Sequence, residues 1–135
     1  MAESRAGSAG TWGYRELVVW QKAVELAASV YRLTEAFPAS ERFSLVDQLN
    51  RAAVSVASNI AEGSKRNGPR EFSHFLSIAH GSLAEVDTQL EIAVRVGYVA
   101  RDSTTDLVEL TDHLGRMLTR LRRRLAESGN ENPRL

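Results

Sequence analysis

The sequence predicts an all-α protein that folds as an antiparallel up-down-up-down four-helix bundle. Apolar residues recur at steps of three and four along most of the 135-residue chain. No stretch alternates with the period of two that is typical of a strand. The three prolines, Pro38, Pro69 and Pro133, lie between these periodic segments and not within them. Four segments of about 20 residues joined by short connections favour antiparallel neighbours.

The first helix is predicted from Glu16 to Ala36. It ends before Phe37-Pro38, because the residue that precedes a proline avoids the α region. The apolar stripe expected to face the core comprises Leu17, Trp20, Val24, Ala27 and Tyr31. The aromatic residues at helical spacing, Trp20, Tyr31, Phe72 and Phe75, are interpreted as core side chains and not as a cofactor site.

The second and third helices are separated by Asn67-Gly68-Pro69, a strong break. The second is predicted over residues 44–66, with Ser44 and Asp47 spaced as a capping box. The third is predicted over residues 69–96 and ends at Gly97. Their apolar stripes comprise Leu45, Leu49, Ala53, Val56 and Ile60, and Phe72, Leu76, Ala79, Leu83, Val86, Leu90 and Val94.

The fourth helix is predicted to begin after Asp102 or Ser103, where Ser103 and Asp106 form a second possible capping box. Gly129 is expected to end it. Its stripe is close to a leucine heptad: Leu107, Leu110, Leu114, Leu118, Leu121 and Leu125. The predicted domain organisation is a disordered arm over residues 1–13, the bundle over 14–127 and a frayed tail over 128–135.

The composition excludes several classes of protein. The apolar fraction of 43% and the charged fraction of 25% are those of a folded domain. The absence of cysteine excludes disulfides, thiolate metal sites and cysteine nucleophiles. No apolar run of about 18 residues and no apolar region within residues 1–11 are found, so we expect a cytoplasmic protein without a membrane partner. Seventeen basic and 17 acidic residues cancel, which argues against general affinity for nucleic acid.

A narrow polar stripe accompanies the apolar face of the second helix. Its members fall within about 80° of one another at 100° per residue. Most are short or amide side chains, which favours a semi-buried seam; the alternative is an ordinary solvated face. The seam comprises Gln48, Arg51, Ser55, Asn59 and Glu62, with a matching set of Gly81, Ser82, Glu85 and Gln89 on the third helix.

Folding back at Asn67-Gly68 would bring three pairs of positions together across the seam. We predict an Arg51–Glu85 ion pair and close backbone packing at Gly81, because a glycine inside a helix costs about 1 kcal/mol relative to alanine. The expected neighbours are Arg51 and Glu85, Ser55 and Gly81, and Glu62 and His74.

Charge is segregated along the fourth helix, with acids in its first half and arginines in its second. One explanation is complementarity to the helix dipole. The alternative is a basic patch that binds phosphate or an acidic partner, although no aromatic side chain is interleaved for base stacking. The candidate contact residues are Arg116, Arg120, Arg123 and Arg124, with Lys65 and Arg66 at the turn between the second and third helices.

Catalytic motifs are missing from the sequence. Glu71-x-x-His74 is the one match to a carboxylate-bridged di-metal bundle, and Glu109 to His113 has the wrong spacing. There is no HExxH, GxSxG, P-loop or GxGxxG pattern. The sequence therefore predicts no enzyme, no cofactor, no catalytic or metal site and no small-molecule substrate.

Several segments, in order along the chain, carry a family resemblance that covers about residues 14–126. The chain resembles the four-helix bundle family first noticed in intervening sequences of bacterial large-subunit ribosomal RNA genes. The accessory variability proteins of diversity-generating retroelements are similar. The segments are Leu17 to Ala23, Phe37-Pro38, Gln48 to Ala52 with Ser55, Asn59-Ile60-Ala61-Glu62-Gly63-Ser64, and Gly81 to Glu85.

The resemblance implies an antiparallel bundle, a homopentameric ring and no enzymatic activity. The retroelement relatives bind nucleic acid and a reverse transcriptase through a strongly basic surface, from which this neutral chain departs. The polar positions carried over by motif are Gln48, Arg51, Asn59, Glu62, Ser82 and Glu85.

Two functions follow as expectations. The first is a non-enzymatic oligomeric interaction module. The alternative is a nucleic-acid-binding accessory protein of a reverse transcriptase or ribonucleoprotein, which would use the arginine cluster of the fourth helix.

Overall fold

The computed structural model describes residues 13–131 as a bundle of four long helices, and it contains no strand within that range. The predicted all-α fold is therefore confirmed. Most of the predicted arm (residues 1–12) and the tail beyond residue 131 lie outside the described residues. The long helices are α1 (Val18–Thr34), α2 (Leu45–Ser64), α3 (Pro69–Arg95) and α4 (Thr105–Glu131), and short 3₁₀ helices at Tyr14–Glu16, Ala39–Glu41 and Arg101–Thr104 precede α1, α2 and α4.

Contacts between successive helices run in opposite directions along the chain. Gln48 and Ser55 of α2 reach Gln89 and Ser82 of α3, respectively, so the two helices are antiparallel. α1 also packs against α4, which closes the bundle. Comparable reversed contacts join Tyr14 to Lys65, Thr34 to Asn50, Ser73 to Arg122 and His80 to Gly115.

The core of the bundle confirms the predicted stripe of α2, confirms that of α3 except that Ala93 takes the place of Val94, and corrects that of α1. Val24 and Tyr31 are 40% and 49% exposed. The sequence permits this error because α1 carries two five-residue stripes with helical spacing. The more aliphatic one faces inward, while Leu17, Trp20 and Ala27 of the other are partly buried against the core. The inward stripe of α1 is Val19, Ala23, Leu26, Val30 and Thr34.

Neither predicted capping box forms at its helix. At α2 the carboxylate of Glu41 replaces the Ser44 cap: it accepts a hydrogen bond from the Ser44 hydroxyl (2.6 Å) and one from the Leu45 amide (3.3 Å). Asp47 pairs instead with Arg51. At α4, Ser103 lies inside the preceding 3₁₀ turn and not ahead of the helix. Both connections therefore contain a helical turn that the sequence pattern did not indicate.

Three glycines depart from their predicted roles or add new ones. Gly81 is exposed, with no atom within 4 Å of the position a Cβ would take, so the predicted close packing there is wrong. The tight contact lies at Gly63, where a Cβ would stand 2.8 Å from Cβ of Phe75.

Gly129 does not end α4, which continues to Glu131; a helical glycine is unfavourable without being a stop signal. Gly68 immediately precedes α3 and Gly97 lies just after it, with φ of 98° and 86°.

Candidate functional site

The polar seam divides into a buried centre and exposed ends. At the centre the hydroxyls of Ser55 and Ser82 are 2.8 Å apart, and Ser82 is only 8% exposed. The Asn59 amide donates to the carbonyl and hydroxyl oxygens of Ser55 at 2.8 and 2.9 Å. The centre thus joins α2 to α3 within one bundle and leaves few polar atoms for a neighbouring molecule.

Gln48 and the charged members of the seam face solvent. Gln48, Arg51, Glu62 and Glu85 are all exposed. Arg51 pairs with Asp47 at 3.0 Å in place of the predicted Arg51–Glu85 ion pair, and Glu62 pairs with Arg66 at 2.6 Å. A partner four residues away on the same helix is reached without bridging two helices.

The arginines of α4 line a groove against α3. Arg116, Arg120 and Arg123 border a cavity of about 500 Å³ together with Asp87 and Asp112. Within residues 13–131 no ion pair engages these three guanidinium groups. Its other lining residues include His80, Leu83, Ala84, Thr111, Gly115 and Thr119.

The remaining candidate cations stand apart from that groove. The Lys65 ammonium lies 5.9 Å from the ring centre of Tyr14. Arg66 stacks 4.9 Å from the ring centre of Phe75 while it pairs with Glu62. Arg124 is exposed and is not among the residues that line the groove. The six predicted contact residues therefore form a cluster of three and three separate positions.

Helix α1 has a second apolar face, on its outer side, whose residues the sequence pattern assigns to the core. Tyr31 and Val24 are exposed on α1, and Trp20 is partly buried beside the core. Thr34, one turn after Tyr31, bonds to Asn50 of α2, which lies one turn before the exposed Val54. Tyr31 and Val54 therefore flank the same boundary between α1 and α2. Two overlapping stripes in the sequence of α1 were the signal for this surface.

The perturbed titrating groups serve contacts within the fold. Arg101 and then Arg95 hold the pKa of Glu91 at about 2, below its ordinary value of 4.5. Hydrogen bonds from Ser44, Tyr98 and Leu45 lower the pKa of Glu41. The Tyr98 hydroxyl donates to Glu41 at 2.9 Å and so ties the α3–α4 connection to the start of α2. Both carboxylates, Glu41 and Glu91, are therefore bound by residues of the same bundle.

Two features are missing from the described residues. In the part of the chain from 13 to 131, no three His, Asp or Glu side chains are grouped so that they could hold a metal ion. Across the same range, no helix has the length and apolar character needed to cross a membrane.

Comparison with known proteins identifies one family. The family model described as the 23S rRNA-intervening sequence protein matches residues 15–120. A solved protein of unknown function from the S23 ribosomal protein family of Bacteroides thetaiotaomicron is similar in structure, with a TM-score of 0.70 at 21% identity. That match covers 77% of this chain and 97% of the other, and at this identity it shows a shared fold. No curated protein matches the chain.

Proposed function

Because the chain belongs to the family of 23S rRNA-intervening sequence proteins, we propose that it acts without catalysis as a homo-oligomeric interaction module. In this proposal copies of the bundle associate side by side, and the assembly presents a surface to a partner molecule. The ring of five copies, which the family resemblance implies, and the cytoplasmic location expected from the sequence belong to the same proposal.

The exposed apolar face of α1 and α2 is the observation that carries the proposal. Helix α1 has apolar side chains both toward the core and along its outer side, where Val24 and Tyr31 are 40% and 49% exposed. Val54, also 40% exposed, continues this surface onto α2. A helix with apolar residues on two sides has more apolar surface than one core can cover, which is typical of a helix that also packs against another subunit.

The absence of catalysis is supported by how the polar residues are used. The shifted pKa values of Glu41, Glu91 and Tyr98 are caused by hydrogen bonds and ion pairs within the bundle. Ser55, Ser82 and Asn59 bond to one another in a buried contact between helices. These polar groups stabilise contacts within the bundle.

Light scattering on the purified protein tests the proposal. We expect a mass well above that of the 14.9 kDa monomer at micromolar concentration. Tyr31→Glu should weaken association by at least about tenfold, since it buries an unpaired charge in an apolar contact. Ile92→Glu is the matched control, because Ile92 is 45% exposed on α3 and lies outside this face. A monomeric wild-type protein, or an equal effect of both substitutions, would contradict the proposal.

A second candidate function is binding of structured RNA or DNA as an accessory protein of a reverse transcriptase or ribonucleoprotein. It is favoured by the three arginines of the α3–α4 groove that pair with no acid within residues 13–131. Asp87 and Asp112 in the same groove oppose it. Titration with structured RNA at about 50 mM salt is the test, because phosphate contacts are strong there; no binding would reject this candidate.

A further inference from the structure

The outward face of α4 carries two blocks of opposite charge. Three acidic side chains occupy its first half, and three arginines occupy its second half beside Arg124 and Glu127, which share the same arc. All six are exposed, and they fall within about 120° of one another around the helix at 100° per residue. The six are Asp106, Glu109, Asp112, Arg116, Arg120 and Arg123.

The helix dipole accounts for little of this arrangement. Its field favours acids in the first turn and bases in the last, and it fades beyond them. In the helix Thr105–Glu131 only Asp106 lies in the first turn. Asp112, Arg116 and Arg120 occupy the middle of the helix, where the dipole has no preference. Another cause is needed for the block pattern.

These charges also do not satisfy one another within the bundle. Asp112 and Arg116 are four residues apart, yet they form no ion pair in the described part of the chain. At the same spacing Arg51, Arg66 and Arg95 all pair with an acid. These six charges on the outward face of α4 are therefore available for a partner.

We propose that this face binds the same face of a second copy, with the two α4 helices antiparallel about a two-fold axis at the level of Leu114. The acids precede Leu114 by two, five and eight residues, and the arginines follow it by two, six and nine. At 1.5 Å per residue, these levels agree within about 1.5 Å. An antiparallel dimer thus sets Asp112 opposite Arg116, Glu109 opposite Arg120 and Asp106 opposite Arg123, each pair twice.

Charge complementarity favours a second copy as the partner and an antiparallel orientation of the two α4 helices. A parallel pair would set acid against acid and arginine against arginine, which is repulsive. The antiparallel pair is isologous, so each copy supplies both halves of the contact. A polyanion would be attracted to the arginines alone and repelled by the acids beside them. A second copy of this chain is thus the partner that uses all six charges.

The contact is independent of the apolar face proposed above. Helix α4 packs against α1 and α3, whereas the apolar face follows the boundary of α1 and α2. Exposed ion pairs are individually weak and are screened by salt. We therefore expect a weak dimer at about 50 mM salt whose dissociation constant rises at least tenfold at about 500 mM.

A charge-swap experiment tests the pairing. One variant carries R116E, R120E and R123E, and the other carries D106R, E109R and D112R. Each variant alone presents six like charges and should not pair through this face. An equal mixture should pair, and sedimentation velocity at low salt should show a species larger than the one that either variant forms alone through its apolar face. A helix-dipole role would destabilise both variants without any rescue on mixing, and circular dichroism checks their folding.

The same measurements in a Tyr31→Glu background separate the two proposals. If the apolar face does not associate, the charge-swap rescue is still expected, in that background as in the native chain. Wild-type mass that is unchanged between the two salt concentrations, or a mixture that fails to associate, would overturn the pairing. Loss of structured-RNA binding in the arginine variant without any change in mass would also overturn it and would assign the arginines to nucleic acid.

Discussion

Two helical glycines, Gly63 and Gly81, occupy opposite environments. A Cβ at Gly63 would stand 2.8 Å from Cβ of Phe75 and 3.2 Å from the carbonyl oxygen of Phe72. Neither of those atoms can swing away, because both belong to or adjoin the backbone of α3. At Gly81 the same position is open, with no atom within 4 Å. One glycine therefore permits α2 and α3 to approach, and the other is only a weak point of α3.

Substitution of each glycine by alanine is predicted to have opposite effects. Gly63→Ala should lower the free energy of unfolding by about 1–3 kcal/mol, the usual cost of overpacking. Gly81→Ala should raise it by about 0.4–1 kcal/mol, since alanine is the better helix former at an open position. Urea unfolding followed by circular dichroism measures both. Equal effects of the two substitutions would refute the assignment of the close contact.

The stability of the bundle is predicted to fall in acid because of Glu91. Its folded-state pKa of about 2 lies below the ordinary value of 4.5, so the folded protein binds fewer protons than the unfolded chain in that interval. Its contribution is complete above the ordinary pKa and is lost as pH falls toward 2. The melting temperature of Glu91→Gln should therefore approach that of the wild type as pH is lowered from 6 to about 2.5. A constant difference in melting temperature across this range would contradict the prediction.

The helices themselves followed from the sequence because periodicity, proline positions and the Asn67-Gly68-Pro69 break agree with one another. The observed helix ends lie within about two residues of the predicted ones at most boundaries. Periodicity failed in α1 because both of its apolar stripes satisfy the helical spacing. Which of the two stripes faces the core depends on contacts with the other helices, and the sequence of α1 alone does not contain that information.

The start of α2 provides an element-scale prediction. Glu41→Ala should increase hydrogen exchange at the Leu45 amide and destabilise the first turn of α2, because the carboxylate accepts that amide and the Tyr98 hydroxyl. Ser44→Ala should have a smaller effect, since the Ser44 hydroxyl donates to Glu41 and caps no amide of α2. Hydrogen exchange by NMR compares the two. A larger effect of Ser44→Ala would contradict this prediction and would support the capping box of Ser44 and Asp47.

The neutral molecule is strongly polarised along the bundle axis. A plane through Ser55 and Ser82 divides the described residues into two halves. The half made of residues 13–28, 56–81 and 114–131 has ten basic and six acidic residues. The half made of residues 29–55 and 82–113 has five basic and ten acidic residues. The antiparallel order of the helices brings these charges together from distant parts of the chain.

This polarity predicts retention on both types of ion-exchange resin at low salt, although the formal net charge is zero. The variant with R116A, R120A and R123A should elute earlier from the cation exchanger and remain bound to the anion exchanger. The salt concentration at elution is the measurement. Failure of the wild type to bind the cation exchanger would contradict the prediction.

The candidate site was harder to predict from the sequence than the fold was. Contacts within one helix, such as Arg51 with Asp47, compete with contacts between helices, and the sequence does not rank them. The seam was predicted from its small residues, and at its centre the hydroxyls of Ser55 and Ser82 hydrogen-bond to each other. The charge blocks of α4 were visible in the sequence. Their exposure and lack of internal partners required the structure.

The short connections between helices have a consequence for folding kinetics. Pairs α1–α2, α2–α3 and α3–α4 are each formed by neighbours in the chain, so closing their loops costs little entropy. Of the extensive contacts between long helices in the described residues, only that of α1 with α4 joins helices that are not neighbours in the chain. We therefore expect rapid folding in which the three hairpins form early and the α1–α4 contact completes the bundle last, so that substitutions between α1 and α4 mainly accelerate unfolding.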